Sequence, residues 1–301
     1  MTEKYNSEYI KLTPSINRDL LEKYWQVAKG LQKADGLNTS EYLETVISDT
    51  LDHKYDVEEA IQKMLHYYST LPAHSDKRAS EQADIVAARI TARLRQNGFK
   101  LSIAALKSIH GDIFRDFPHS YPGEFRNGDM FKPEKVLNYD TVDYALYSDI
   151  ERYLEYDFWQ ERQTRYHLPF TSEQINSLIR FISGIWQTHP FNEGNTRTIS
   201  VFLIQYLRSM GIKINNDPFK DNSDWFRDAL ARANYTNLEM DIYPDTSFLK
   251  MFFENILSGT ENDLYSVDMS VKTDGILLPD HLIELLAEPM KTFLKTEKRN
   301  Y

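Results

Sequence analysis

The residues best equipped for chemistry lie in one short run, Thr188-His189-Pro190-Phe191-Asn192-Glu193-Gly194-Asn195-Thr196-Arg197-Thr198. The run reads as a helix end, a polar loop and a helix start. A loop entering a helix presents free backbone N–H groups and the positive end of the helix dipole, which suits a phosphate. Gly194 lets the backbone approach an anion closely. Arg197 can hold phosphate oxygens through two parallel hydrogen bonds. Glu193 is a carboxylate of the kind that holds Mg²⁺ together with substrate phosphates. His189 titrates near neutrality and can serve as a general base. Taken singly, each residue is better read as part of a capped loop with a structural histidine. Taken together, between the two most apolar helical stretches of the chain, they favour a nucleotide site. The other histidines (His53, His66, His74, His110, His119, His167, His281) show no metal-ligand spacing and read as surface or core residues.

Two helices must position that loop. Ile175, Leu178, Ile179, Ile182, Ile185 and Trp186 share one side of a helix with Ser172 as its cap, and Ile199–Leu207 is apolar nearly all round, as a central buried helix is, ending at Gly211. Upstream, Leu20, Leu21, Tyr24, Trp25, Ala28 and Leu31 mark a first helix. Ser40 caps a second, and Asp56 with Glu59 opens a third that ends near Tyr68. Helices follow through Val86, Ile90 and Leu94, and from a Ser102 cap through Leu106, Ile109 and Ile113. Within 118–133 lies the strong hairpin dipeptide Asn127-Gly128, whose type I′ turn needs two positive φ angles. Two more helices fit 223–234 and 247–257. The expected fold is all-α with one small β-hairpin, divided into an N-terminal helical segment 1–69, a linker 70–83, a core 84–262 and a helical extension 263–301 with an amphipathic piece near Leu278–Leu294.

Composition narrows the class. The chain has 301 residues, and its 41% hydrophobic and 13% aromatic content argues against disorder over most of its length. Zero Cys excludes disulfides, thiolate metal sites and Cys nucleophiles together. No apolar run approaches the ~20 residues of a membrane span, and the N-terminus is unlike a signal peptide. A soluble, cytoplasmic protein is expected. A net charge of -10 argues against nucleic acid and anionic membranes as partners.

The run HPFNEGNTRTIS resembles the signature of the Fic family, H-P-F-x-[DE]-G-N-G-R-x-x-R, with Thr196 in a glycine-type position and Ser200 in place of the second Arg. The resemblance covers about Asp84 to Leu257, including SIHGDIF, GEFRNGDMF and WFRDALARANY. It implies an all-helical transferase that moves AMP from ATP to a Tyr, Thr or Ser hydroxyl of a target protein or of itself, with Mg²⁺. On the matching positions it implies His189 as the base and Glu193 as the metal carboxylate. The run Gly194, Asn195, Thr196 and Arg197 becomes the phosphate site, and Phe226, Asn234 and Tyr235 cover the adenine. Arg126, Asp129, Met130 and Phe131 belong to a hairpin flap that docks the target as an added strand. Pyrophosphate would be the leaving group. A homo-oligomer is compatible with all of this. The alternatives are transfer of another phosphate-containing group, or a catalytically weakened module that only binds a peptide.

Residues 27–37 (VAKGLQKADGL) resemble the antitoxin-like inhibitory helices of Fic proteins, whose pattern is [ST]-x-x-x-E-[GN]. Here it reads Leu31, Asp35 and Gly36. Leu31 has no hydroxyl, Asp35 is one methylene short, and Ser200 offers no cation. The inhibitory ion pair is therefore expected to be absent or weak.

Overall fold

The computed structural model describes residues 17–214 and 216–272. Among the described residues eleven α-helices run in chain order as α1 Arg18–Gly30, α2 Glu41–Leu51, α3 Val57–Thr70, α4 Glu81–Leu94, α5 Ile103–Ile113, α6 Ile150–Gln163, α7 Ser172–Thr188, α8 Asn195–Ser209, α9 Asp217–Asp221, α10 Ser223–Ala233 and α11 Ser247–Leu257. Short 3-10 turns join several of them, among them Leu31–Asp35 directly after α1. The expected caps mostly form. The Ser40, Asp56 and Ser102 side chains each accept a backbone N–H at a helix start, and Asp56 with Glu59 closes a full capping box. At α7 the cap is Thr171, one residue before Ser172, because Gln174 completes a capping box with it.

Helix α8 is the axis of the molecule. Every residue from Asn195 to Leu207 is buried, with α4, α5, α7 and the 3-10 turn 31–35 packed around it. One contiguous apolar core extends from Leu21 to Val271. The N-terminal helices belong to that core: α1 packs on α4 and α9, and the 3-10 turn on α10 and α8. Trp25 is fully buried and its indole N–H donates to Thr50 Oγ1 at 3.0 Å. Asp84 of α4 accepts from the Ser40 N–H (2.9 Å), the Ser40 hydroxyl (2.5 Å) and the Tyr68 hydroxyl (2.7 Å), tying α2 and α3 to the core helix.

Helix α6 breaks the periodicity rule. It buries Ile150, Leu154, Phe158 and Glu161, yet Tyr153, Tyr156 and Trp159 stand exposed on its other side, so no apolar stripe is readable in its sequence. The expected hairpin is absent among the described residues, where the only ladder contact is the isolated bridge between Asn237 and Ile242. Neither Asn127 nor Gly128 takes the positive φ that a type I′ turn needs. The reason is Arg126, which is 3% exposed and donates to the carbonyls of Gly128 (2.7 Å), His189 (2.8 Å) and Ala145. A side chain thus ties the segment to residues 145 and 189, where a paired strand would otherwise have held it. The amphipathic piece Leu278–Leu294 lies outside the described residues. No helix among them is long and apolar enough to cross a membrane.

Because the N-terminal helices share the core, removing the Trp25 side chain should cost about 3–5 kcal/mol. Urea unfolding of Trp25→Ala should show one transition at a lower midpoint. A second, separate transition with the main one unmoved would mean that the N-terminal helices fold apart from the rest.

Candidate active site

Helix α7 ends at His189, which takes the left-handed conformation (φ 47°, ψ 59°) as the helix cap and sends its N–H back to the Trp186 carbonyl at 3.1 Å. The Arg126 guanidinium grips the His189 carbonyl, and the Arg126 N–H donates to the Pro190 carbonyl at 2.9 Å. Arg126 therefore holds the catalytic-type loop in place and is not free for the target docking expected of it. Asp129 accepts from the Tyr147 N–H at 2.8 Å, Met130 is half-buried, and Phe131 is 59% exposed. The imidazole of His189 is 3% exposed, with the Tyr144 ring 4.3 Å away and Trp186 edge-on at 5.5 Å. Burial first, and then the charge of Lys132, push its pKa well below the ordinary histidine value. The ring is therefore neutral near pH 7, the form in which a histidine accepts a proton.

From Pro190 to Gly194 the chain closes on itself. The Asn195 amide accepts the Phe191 N–H at 3.0 Å and donates to the Phe191 carbonyl at 2.8 Å. Both ends of that side chain are spent on the loop, so its contribution to an anion site is to shape the backbone. Phe191 is fully buried and stacks on His110 at 3.9 Å. His110 accepts the Gly123 N–H at Nδ1 (2.9 Å), which leaves Nε2–H to meet the Glu193 carbonyl at 3.3 Å. Its pKa is pushed down to about 4, chiefly by burial, so the imidazole stays neutral and this tautomer persists. Gly194 has φ 68° and lies against Phe114, whose ring would overlap any added Cβ. Only glycine fits there.

The Glu193 side chain is 35% exposed, receives hydrogen bonds from Ser120 Oγ and from Gln82 Nε2 (3.1 Å), and has His119 Nε2 at 3.8 Å. No group of three or more His, Asp or Glu side chains is gathered for a metal among the described residues. One accessible carboxylate fits an ion that takes its remaining ligands from phosphates and water, as Mg²⁺ does.

Helix α8 starts at Asn195 with no side chain capping it. Thr196 accepts the Trp186 indole N–H at 3.0 Å and so serves the α7–α8 contact, while the Ser200 hydroxyl is buried without a partner. Arg197 is 1% exposed and lies over the Phe114 ring at 4.8 Å. Its Nε is 2.6 Å from Asp35 Oδ2, as an ion pair whose N–H does not point along that line, and its Nη1 donates to Gln32 Oε1 at 3.1 Å. This overturns the expectation that Asp35 has no cation to meet. The motif's first Arg, one helical turn before Ser200, supplies the partner instead. The shorter Asp side chain reaches it because Leu31 is fully buried, Gly36 ends the turn in the left-handed conformation (φ 68°), and Ser223 Oγ donates to the Gly30 carbonyl at 2.5 Å.

The three residues expected to cover adenine make contacts within the fold. Phe226 is fully buried and stacked on Phe252 at 4.5 Å; Asn234 donates to Ser183 Oγ (2.9 Å) and the Leu230 carbonyl (2.8 Å); the Tyr235 hydroxyl donates to Asp140 at 2.6 Å. Phe226 lies within α10 and Asn234 caps its end, and the two turn to α11 and α7 respectively. Conversely, Gln32, Gln82, His110 and Ser120 meet the motif from far along the chain. Gln32 lies 165 residues from Arg197, and no spacing rule in the sequence points to it.

Substituting Gly194 by Ala forces a left-handed alanine, at roughly 1–2 kcal/mol, and a clash with Phe114, at about 1–3 kcal/mol. Thermal unfolding should fall accordingly, and pairing the change with Phe114→Leu should recover part of it. An unshifted melting temperature would show that the loop is not held against Phe114.

Residues 100–207 match the Fic/DOC family. The chain matches no curated protein and no solved structure. The matched stretch runs from just before α5, through the Arg126 segment, to Leu207 in α8, and so contains the whole loop from His189 to Arg197. The chain therefore carries, over residues 100–207, a Fic/DOC family domain.

Proposed function

We propose that this chain is a nucleotidyltransferase that moves AMP from ATP to a hydroxyl of a protein target or of itself. One observation carries the reading: a neutral, buried imidazole and an uncapped helix N-terminus are fixed at the two ends of one rigid loop. His189 takes the proton of a Tyr, Thr or Ser hydroxyl, and that oxygen forms a bond to the α-phosphorus. The bond from the α-phosphorus to its bridging oxygen breaks, pyrophosphate leaves with the electron pair, and the proton remains on His189. The backbone N–H groups entering α8 meet the charge that develops on the phosphoryl oxygens. Glu193, steadied by Ser120 and Gln82, would hold Mg²⁺, which supplies charge neutralisation of the phosphates when bound. Phe226 is packed against Phe252 and the Tyr235 hydroxyl is bonded to Asp140, so of the three residues the half-buried Asn234 is the one placed to read the base of the donor.

Arg197 has the chemistry to bind the leaving phosphates; its charge is paired with Asp35 and its Nη1 donates to Gln32. The arrangement is that of a transferase held off by its own N-terminal turn. Phosphates bind at Arg197 only when the carboxylate gives way.

Incubation of the full chain with Mg²⁺ and ATP labelled at the α- or the γ-phosphate tests the transfer. Label should stay on protein from the α-position only, and His189→Ala should lower the rate by ~10²–10⁴-fold. Retention of γ-label, or an undiminished His189→Ala rate, would sink the AMP-transfer reading.

The same assay tests the occupied arginine. Asp35→Ala should raise the initial rate by about tenfold or more, a change of roughly 1.4 kcal/mol, while lowering the melting temperature because a buried guanidinium loses its counter-charge. A rate equal to wild type or lower would mean that Asp35 stabilises the fold without restraining the site.

A further inference from the structure

Beside His189, on the segment that follows Arg126 and on α10, lies a second group of charges that the reaction above leaves unused. Glu134 is fully buried. It forms a close ion pair with Arg227 of α10, has Lys132 Nζ at 3.6 Å, and accepts the Tyr144 hydroxyl at 3.2 Å. The turn that presents it is closed by its own backbone, Glu134 N–H to the Asp140 carbonyl and Tyr139 N–H to the Glu134 carbonyl, both 2.9 Å. Tyr144 is the link to the base, since its ring lies 4.3 Å from the His189 imidazole. One side chain therefore separates Glu134 and its two cations from His189.

Two cations share this one buried carboxylate. A second acid, Asp228, stands 3.8 Å from Arg227 Nη1, and burial pushes its pKa up to about 6. Donor capacity is left over: Arg227 Nε is enclosed with no hydrogen-bond partner, and the Lys132 side chain is 33% exposed. Among the charges acting on His189, Lys132 has the largest effect, ahead of Arg126 and Arg227. A pair meant only to tie α10 to the preceding segment would need Glu134 and Arg227 alone. The additional lysine, set at the buried carboxylate and within electrostatic reach of the base, adds positive charge on the Tyr144 side of His189. On the α8 side, Arg197 is buried and faces Asp35, and Ser200 carries no charge.

We propose that Lys132 and Arg227, seated on Glu134, form a phosphoryl-binding pair on the Tyr144 side of His189 and hold the non-bridging oxygens of the group being transferred. This rests on the AMP-transfer reading for its ligand. Lys132 is the residue that reaches the phosphoryl oxygens. Glu134 and Tyr144 act through others, the first by seating the cations and the second by separating them from the imidazole.

The test is calorimetric binding of AMP and of adenosine to the intact chain. Lys132→Ala should weaken AMP about tenfold or more, as loss of a charge-assisted contact does, leave adenosine unchanged, and be largely rescued by Lys132→Arg. Lys132 is partly exposed, so this variant tests the site without removing Glu134 from the core. If Lys132→Ala binds AMP as wild type does, or weakens AMP and adenosine alike, the proposal falls. Wild type that binds no AMP removes it too. Lys132-dependent AMP binding in a chain that transfers no label from ATP would leave the phosphoryl site standing and remove the transfer reading.

Discussion

A guanidinium that is 1% exposed cannot be left without acceptors, and the placing of Arg197 depends on that constraint. Its acceptor, Gln32, and its counter-charge, Asp35, come from far along the chain, in the turn that follows α1. Its floor is the Phe114 ring from the end of α5, the same ring that leaves room at position 194 for nothing larger than hydrogen. The turn reaches Arg197 because Gly30 lets α1 end against the Lys220 backbone of α9, where any side chain would overlap it, and because Ser223 fastens the Gly30 carbonyl. One buried charge thus ties the N-terminal helices, α5, α8 and the α9–α10 junction into a single arrangement.

The loop between α7 and α8 is set by a different device. It has no regular backbone ladder, so its carbonyls and N–H groups are met by side chains: Arg126 on Thr188 and His189, Asn195 on both sides of Phe191, and His110 on Glu193. Each of these is a polar group buried with its partners nearly satisfied, which confers rigidity. The imidazole of His189 gains its neutral state from the same enclosure. Burial and neighbouring cations act on it in one direction, and no carboxylate among the forces that shift it opposes them.

Much of this was legible in the sequence. The helices with one apolar face, the caps at Ser40, Asp56 and Ser102, and the wholly apolar α8 follow from periodicity and capping chemistry. The clustering of His189, Glu193 and Arg197 was legible as well, because all three lie within one loop and its helix. What was hidden depends on long-range contacts. Asn127-Gly128 carries a strong local signal for a turn, but the tertiary demand of Arg126 for carbonyl acceptors overrode it. The spacing of Phe226 and Asn234 suits one helix face, but spacing cannot say whether a residue looks at a ligand or at Phe252 and Ser183. Asp35 looked unpartnered because Ser200 stands at the expected cation, and only the packed turn shows that Arg197, one turn earlier, takes its place. Helix α6 escaped notice because its exposed aromatics blur the stripe that its buried ones would draw.

The closed geometry of the loop has a consequence for how the site can respond. Since Asn195 has already fixed the backbone around Phe191, a ligand gains nothing by ordering it and loses nothing in doing so. On the proposed function, a nucleotide would meet at Arg197 a tethered rival, a carboxylate whose effective concentration is set by the length of chain joining α1 to α8 and not by anything in solution. Such a rival cannot be diluted. It can be outcompeted by a more highly charged anion, weakened by salt to the extent that the partly exposed Asp35 allows, or withdrawn by whatever pulls on the N-terminal helices, and the threshold for each is written into the packing of a single 3-10 turn.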